Sequence, residues 1–378
     1  MFLEYFESVD RKVIDFADNL DINQLGKKIQ INGRDDFDFN DLVDIAIFSI
    51  SDFRLDLSQK KTFNASKDFR KKFYSLFFSD WKVKVFDLGN LINGNLVSDT
   101  QFALESIINF CVKSNIFVIS IGGSQDFTLN LYSSLKTNLN KINLVVIDNK
   151  LDFVNPENKG EETYLSKIIM DENNKLNNFS NIAFQKHLNS NLEIDLIDKM
   201  KFESMSLGKL KSDLDEAEPI LRDSNLISFD IKSIKSGDIN NAHQYPNGLS
   251  SYEFCFLSKL SGISSKSKVV SFFENWDYSI MNSLLAESVW YTIDGFLSRI
   301  DENPSDNDNF ITYHIEVDSY KFKFYRSILS ERWWFELIKD ELVSINKEII
   351  PCTLKDYENC KNSLISPRIL TRLKNKIS

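Results

Sequence analysis

Histidine, proline and glycine are scarce in this chain of 378 residues, which contains 3 His, 6 Pro and 12 Gly. Because glycine and proline usually mark turns, the sequence locates the ends of helices and strands only loosely. Cysteine is also rare, and no two cysteines have the CxxC spacing of a zinc or redox site. We expect reduced, packed thiols without disulfides at Cys111, Cys255, Cys352 and Cys360.

Long apolar runs are absent as well. No stretch of the sequence approaches the roughly 20 apolar residues that a membrane-spanning helix needs. The first residues, MFLEYFESVDRK, carry charges too early for the apolar stretch of a signal peptide. The sequence therefore predicts a cytoplasmic protein without a membrane span.

Positive charge is in deficit, since 45 Lys and Arg face 55 Asp and Glu and give a net charge of −10. A field of that sign repels phosphate backbones, so we expect no nucleic-acid partner. A mildly basic tail is interpreted as a solvated helix face; it contains Arg368, Arg372, Lys374 and Lys376. Apolar residues are plentiful, at 42% of the chain with 31 Phe, which predicts a large buried core.

Short apolar, β-branched runs alternate with helical patterns along the middle of the chain. Strands are predicted at 41–51, 82–91, 116–124, 142–152, 181–187, 225–232 and 268–276. Helices are predicted at 64–78, 99–113, 126–138 and 280–298. Because the predicted strands are apolar throughout rather than alternating, both faces of each should be buried. This pattern favours an α/β fold with a parallel sheet covered by helices on both sides.

The pattern divides the chain into three parts. Residues 1–40 show no strong strand and form an N-terminal extension, and residues 41–300 carry the α/β pattern. From the polar segment DENPSDNDN onward, residues 301–378 form a small appended α+β module. Its alternating run ITYHIEVDSYKFKFY predicts an antiparallel hairpin, which ERWWFEL and a helical tail follow.

Polar segments follow three of the predicted strands. They are GGSQD at 122–126, DNKLD at 148–152 and SFDIKSIKSGD at 228–238. In open parallel sheets, ligands bind beyond the carboxyl ends of the strands. The carboxylates found there, on Asp148, Asp152 and Asp230, are ligands that hard divalent cations prefer. Taken singly, such residues are also common as helix caps and loop anchors.

The order of these segments, followed by PNGLSSYE at 246–253, resembles the arginase, agmatinase and formimidoylglutamase family. The family pattern reads GGDHS, DAHxD, SxDxDxxDP and GGLTxxE. DLGN at 87–90 and FFENWD at 272–277 are also similar to family segments, so the resemblance covers about residues 40–300. It points to a divergent branch whose first motif reads GGSQD and which carries an added C-terminal module with two adjacent tryptophans.

The resemblance implies a three-layer αβα fold with an eight-stranded parallel sheet and two bridged manganese ions that activate one hydroxide. It places the first ion at Gln125, Asp148, Asp152 and Asp230, all of which offer oxygen ligands. It places the second ion at Asp148, Asp230, Lys150 and Lys232. The family has histidine where Gln125 and Lys150 stand, and aspartate where Lys232 stands.

Lysine replaces two ligands of the second ion, and a lysine ligates a metal only after losing its proton. We therefore expect the second ion to be absent, and no cofactor beyond at most one weakly bound Mn²⁺ or Mg²⁺. Lys150 and Lys232 are predicted to stand in for the ions by pairing with Asp148, Asp152 and Asp230. Among these carboxylates, neither lysine should lose its proton and become a nucleophile.

Four further side chains are candidates for ligand or partner binding. Glu253 falls where the resemblance places a carboxylate that can hold a guanidinium group, and His243 lies in the loop of the third motif. Trp333 and Trp334 could anchor a protein partner, because aromatic side chains are enriched in interface hot spots. They could equally belong to the core of the appended module.

The leading hypothesis is a catalytically inactive protein of the ureohydrolase fold that binds a protein partner or assembles as a homo-oligomer. The alternative is a divergent metal-dependent hydrolase of linear amidines, such as arginine, agmatine or formimidoylglutamate, with a single ion at the first metal position. The lost ligands favour the first hypothesis, because a bridging hydroxide needs two Lewis acids about 4 Å apart.

Overall fold

A computed structural model describes the chain at residues 3–35, 43–55, 65–153, 163–241, 244–274, 279–305, 309–338 and 348–377. In these ranges, a ten-stranded sheet is flanked by helices on both faces, and a separate four-stranded sheet lies towards the C-terminus. This arrangement confirms the predicted α/β class and the three-layer architecture. No helix in the described ranges combines the length and apolar character needed to cross a bilayer.

The elements are named in chain order. The strands of the large sheet are β1 (Phe6–Glu7), β2 (Gln30–Ile31), β3 (Ile45–Ser49), β4 (Val85–Leu91), β5 (Phe117–Ile121), β6 (Ile142–Ile147), β7 (Leu176–Phe184), β8 (Glu203–Ser206), β9 (Leu226–Asp230) and β10 (Val269–Phe273). The helices are α1 (Arg11–Asp18), α2 (Leu25–Lys28), α3 (Ala65–Tyr74), α4 (Val97–Lys113), α5 (Thr128–Lys136), α6 (Tyr164–Met170), α7 (Asn191–Lys199), α8 (Leu207–Ser212), α9 (Glu218–Arg222), α10 (Ser236–Ile239), α11 (Ser251–Ile263), α12 (Ser279–Leu297), α13 (Leu354–Lys361) and α14 (Pro367–Ile377).

The large sheet has the strand order β1-β4-β3-β5-β10-β9-β6-β7-β8, and β2 also pairs with β4. Its strands β3 to β10 run parallel, which confirms the eight-stranded parallel sheet that the resemblance implies. The N-terminal extension adds β1 and β2 along β4. The sequence predicts neither, because a two-residue strand has no periodic pattern. It also misses β8, whose sequence ESMS buries only Met205.

Successive residues of the central strands alternate between two apolar layers. Ile45 and Ile47 of β3 face the layer covered by α3, α11 and α12, whereas Ala46 and Phe48 face the layer beneath α4 and α5. Every residue of β3 is buried. Burial on both faces explains why these strands have continuous apolar sequences.

The appended module has its own sheet and its own core. Its antiparallel strands are β11 (Phe310–Val317), β12 (Tyr320–Ser327), β13 (Trp333–Ile338) and β14 (Ile350–Cys352). The first two form the predicted hairpin. Side chains of α13 and α14 complete the apolar cluster of the module. Two of the cysteines belong to this cluster, and all four in the chain are buried and free of disulfides, as predicted.

The two adjacent tryptophans of the module are buried. Trp333 stacks on Tyr357 with ring centroids 4.6 Å apart. Trp334 packs against Arg222 of α9, whose guanidinium carbon lies 4.1 Å from the ring centroid, and Arg222 Nη2 donates to Trp333 O at 2.9 Å. Of the two alternatives left open by the sequence, these contacts favour a packing role: Trp333 belongs to the module's core, and Trp334 contacts the α/β part.

Candidate functional site

Four neighbouring strands, β5, β10, β9 and β6, end at the same edge of the sheet and place polar side chains next to one another. Gln125 lies on the turn after β5, Glu274 directly follows β10, Asp230 ends β9 and Asp148 directly follows β6. All four side chains are buried. With two adjoining residues they form what we call the strand-end cluster, which consists of Gln125, Asp148, Asp152, Asp230, Lys232 and Glu274.

A tight turn after β5 directs Gln125 into the strand-end cluster. Gly122 and Gly123 have φ angles of 87° and 78°, in the left-handed region that glycine adopts without strain. A Cβ added to Gly123 would lie 2.8 Å from Ile50 Cγ2, so the turn has no room for a side chain. The backbone N–H of Glu274 donates to Gly123 O at 3.0 Å and ties this turn to the end of β10.

Gln125 bridges two of the carboxylates. In the amide orientation that satisfies its hydrogen bonds, the side-chain nitrogen lies 3.3 Å from Asp148 Oδ2 and 3.3 Å from Asp230 Oδ2. The sequence predicts an oxygen ligand for a metal at this position. In that orientation Gln125 presents N–H donors to the two carboxylates, whereas the opposite orientation presents to them the oxygen that a metal ion would bind.

Lys232 supplies the positive charge of the cluster. Its Nζ lies 3.1 Å from Glu274 Oε2 and 3.9 Å from Asp230 Oδ2. Burial alone would lower the pKa of Lys232, but the charges of Asp230 and Glu274 outweigh that effect and raise the pKa above its usual value. Lys232 therefore remains an ammonium group at neutral pH, and an ammonium group has no lone pair for a metal.

Lys150 differs from Lys232 although both replace metal ligands in the family pattern. Its side chain is exposed, and among the described residues it forms no ion pair with a carboxylate. Only its backbone N–H contacts the cluster, donating to Asp148 Oδ1 at 3.1 Å. The predicted direct pairing of Lys150 with Asp148, Asp152 and Asp230 is thus corrected, because the turn after β6 turns this side chain towards solvent.

The carboxylates of the cluster retain protons more strongly than ordinary ones. Burial, together with the charges of Asp230 and Asp152, raises the pKa of Asp148 well above its usual value. Burial also raises the pKa of Asp230 to about 7, although the charge of Lys232 opposes the rise. Asp152 hydrogen-bonds Asp148, and burial raises its pKa in turn. The cluster therefore carries less negative charge at neutral pH than its acidic residues formally provide.

This arrangement does not fit a pair of divalent cations. The Lys232 ammonium group lies 3.9 Å from Asp230 Oδ2, one of the carboxylate oxygens that would have to bind the ions. Among the described residues, no three His, Cys, Asp or Glu side chains converge as they would around a metal ion. The contacts of the cluster are those of a closed polar network in which donors satisfy buried acceptors.

The other two predicted ligand-binding residues, Glu253 and His243, are not part of this network as the structure describes it. His243 lies outside the described residues. Glu253 is the third residue of α11, where its Oε2 accepts a hydrogen bond from Ser250 N at 2.7 Å and lies 3.5 Å from Lys211 Nζ. Glu253 thus forms one half of a capping box with Ser250, and its contact with a guanidinium group stays a prediction.

Replacing Glu253 by alanine should lower the free energy of unfolding by about 1 kcal/mol, because one half of a capping box is lost. Replacing its partner Ser250 by alanine should have a similar effect, since the Ser250 hydroxyl accepts from Glu253 N at 3.3 Å. Urea denaturation of both variants measures the two costs. An unchanged unfolding free energy in the Glu253 variant would argue against the capping role.

The solved structures that are similar to this chain include ureohydrolases. Formiminoglutamase of Trypanosoma cruzi, solved with Mn²⁺, has a TM-score of 0.61 and 16% sequence identity, and the match covers 73% of this chain and 99% of that chain. Formimidoylglutamase of Bacillus subtilis has a TM-score of 0.64 and 12% identity, covering 74% and 93%. Agmatine ureohydrolase of Thermoplasma volcanium has a TM-score of 0.57 and 16% identity, covering 74% and 96%.

These likenesses establish that the chain has the ureohydrolase fold, as the order of its motifs implies. Comparison with family models and with the sequences of curated proteins finds no match. About a quarter of the chain lies outside the match to each solved structure.

Sequence reasoning missed Glu274 as a member of the cluster, although FFENWD at 272–277 stood out as a family-like segment. The available signal was its position. Glu274 directly follows an apolar strand, as Asp148 does, and a carboxylate at such a strand end is expected beside its neighbours at the same edge. The pairing of Glu274 with Lys232 could not be predicted from the sequence, because the order of the strands in the sheet decides which strand ends are adjacent.

Proposed function

We propose that this chain is a catalytically inactive relative of the ureohydrolases, in which an ammonium group and an amide close the former metal site. The observation that carries the proposal is the position of Lys232 Nζ, 3.1 Å from Glu274 Oε2 and 3.9 Å from Asp230 Oδ2. Gln125 supports it by directing its amide nitrogen at Asp148 and Asp230. Lys232 pairs with Glu274 and lies near Asp230, and the Gln125 amide can donate to Asp148 and Asp230.

Hydrolysis of an amidine needs an activated water and a group that removes its proton. Lys232 does not provide that base, because the neighbouring carboxylates stabilise its protonated form. The aspartates have other partners, since Asp230 accepts from Lys232 N at 2.6 Å and Asp148 accepts from Lys150 N at 3.1 Å. The cluster is suited to holding four strand ends together, which is a structural role.

A chain that keeps the ureohydrolase fold but has lost amidine hydrolysis would act by binding or assembly, through a protein partner or a second copy of the chain. The match to Trypanosoma cruzi formiminoglutamase covers 99% of that chain but 73% of this one, so about a quarter of this chain lies outside that match. The N-terminal extension along β4 and the appended module are therefore the surfaces that we propose for recognition.

The test of inactivity is an assay of the purified full chain with added Mn²⁺ on arginine, agmatine and formimidoylglutamate, following the release of urea or formamide. We expect no release above the rate in buffer. The matched variant is Asp230→Asn, which removes one carboxylate charge from the cluster. Release that requires Mn²⁺ and disappears in Asp230→Asn would overturn the proposal and support hydrolysis with one ion at Gln125, Asp148, Asp152 and Asp230.

The test of assembly is light scattering on the same preparation. A mass near the 43.8 kDa of the chain would direct the search to a protein partner, and a multiple of that mass would support a homo-oligomer. Truncation of the appended module is unsuitable here, because Trp333 and Trp334 are part of its contact with the α/β part.

A further inference from the structure

A cavity of about 660 Å³ opens at the edge of the sheet opposite the strand-end cluster. This edge contains the amino-terminal ends of β5 and β10, marked by Phe117 and Lys268. Arg299, just after α12, lines one side of the cavity, and Trp334 of the appended module lines another. The cavity thus lies at the junction between the α/β part and the module.

Arg299 is held firmly at this junction. Its guanidinium carbon lies 4.5 Å from the ring centroid of Phe117 and 4.2 Å from that of Phe296. Its Nε donates to Gly262 O at 2.8 Å and its Nη2 donates to Ser267 O at 3.3 Å. These contacts use one edge of the guanidinium group, and Nη1 forms no hydrogen bond within the described part of the chain.

Arg299 also lacks the partner that the other arginines have. Buried Arg70, Arg222 and Arg368 each lie within 3.0 Å of a carboxylate oxygen. The exposed and half-buried arginines likewise have a carboxylate within 4.0 Å. Within the described ranges, Arg299 is the one arginine without such a neighbour. In a chain with a net charge of −10, this lack is not explained by a shortage of carboxylates.

Lys268 adds a second positive charge to the same cavity. Its Nζ donates to Asn115 Oδ1 at 3.2 Å, and no described carboxylate lies within ion-pair distance. Burial lowers the pKa of Arg299 to about 9, and burial together with the charge of Arg299 lowers the pKa of Lys268. Both shifts indicate cations that are partly removed from water without a counter-charge.

The acidic residues that line the cavity do not supply that counter-charge. Glu302 accepts hydrogen bonds from the Ser327 and Ser330 hydroxyls and lies 3.8 Å from Arg332 Nη1. Its carboxylate is therefore already paired with residues of the module. Asp301 is exposed. Its carboxylate would repel a second negative charge, which favours a ligand of low charge over a polyanion.

We propose that this cavity is a binding site for a small anion bearing a carboxylate or phosphate group, held by Arg299 and Lys268. The free edge of the guanidinium group offers paired N–H donors that match two oxygens of such a group. Because Trp334 forms part of the wall, a bound anion would contact the α/β part and the module at once. The site would thereby stabilise the docking of the module.

Isothermal titration calorimetry on the full chain tests the proposal, with sodium phosphate as one probe and sodium acetate as the other. Ionic strength is held constant with NaCl, so that general screening is the same throughout. We expect saturable binding of at least one probe at one site per chain. The affinity should fall about tenfold or more in Arg299→Gln and in Lys268→Gln, since each removes a charge-assisted hydrogen bond.

The matched control is Lys259→Gln, which removes a half-exposed cation of α11 that pairs with Asp294 at 2.9 Å and does not line the cavity. It should leave the affinity unchanged. Circular dichroism establishes that each variant is folded, and Lys268→Gln decides the outcome if Arg299→Gln is unfolded. No saturable binding of either probe, or equal binding by the wild-type protein and both cavity variants, would overturn the proposal.

Discussion

A variant with Gln125→His, Lys150→His and Lys232→Asp is expected to bind two Mn²⁺ ions per chain, whereas we expect the wild-type protein to bind no such pair of ions. The substitutions restore the ligands of the family pattern and remove the ammonium group near Asp230. A protonated lysine about 4 Å from a dication costs about 8 kcal/mol at an effective dielectric constant of 20, because each pair of unit charges contributes about 4 kcal/mol.

Elemental analysis after dialysis, together with thermal unfolding in excess Mn²⁺, measures the effect. At a free Mn²⁺ concentration of about 100 times the dissociation constant, binding should stabilise the triple variant by about 2.7 kcal/mol for each bound ion. The control is Lys232→Met, which removes the charge without supplying a ligand and should not bind a pair of ions. A triple variant that is folded but binds no Mn²⁺ would show that the obstacle lies outside these three positions.

Replacing Arg368 by methionine should lower the free energy of unfolding by about 3–5 kcal/mol, because it leaves buried carboxylates without a counter-charge. The Arg368 side chain is 5% exposed, and it lies 2.5 Å from Asp356 Oδ2 and 2.9 Å from Glu216 Oε2. Glu203 of β8 is 3.6 Å away. Arg368 thus links α14 of the module to an edge strand of the large sheet.

Arg326→Met is the matched control for this prediction, since the module also contains this exposed arginine. Arg326 pairs with Glu331 at 2.6 Å, but their side chains are 36% and 75% exposed. Its loss should cost less than about 1 kcal/mol, as is usual for surface ion pairs. Urea denaturation of both variants gives the comparison. Equal costs would mean that the Arg368 network does not hold the module against the sheet.

Much of the fold was predictable because the buried strands have a simple pattern. Residues 117–121 read FVISI, and this run is apolar except for Ser120 because helices cover both faces of the sheet. Polar or very short strands carry no such signal. Strand β8 with ESMS, and the two-residue strands β1 and β2, gain their stability from backbone pairing with a neighbour, which only the assembled sheet reveals.

The site was predictable in composition but not in contacts. Asp148 and Asp230 were placed correctly because both end apolar strands at the same edge of the sheet. Lys150 and Lys232 looked equivalent in the sequence, yet only Lys232 approaches the carboxylates. Side-chain direction in a turn depends on local backbone angles, such as the left-handed φ of 52° at Asp152, and sequence patterns carry little information about them.

We propose that Lys232 and Gln125 occupy the place that the resemblance to the ureohydrolases assigns to two metal ions. Anomalous diffraction at the manganese absorption edge, from crystals of the wild-type protein grown with Mn²⁺, tests it most directly. We predict density for the Lys232 ammonium group beside Glu274 and Asp230, without an anomalous peak between Asp148 and Asp230. Two anomalous peaks bridged by those aspartates would contradict the claim.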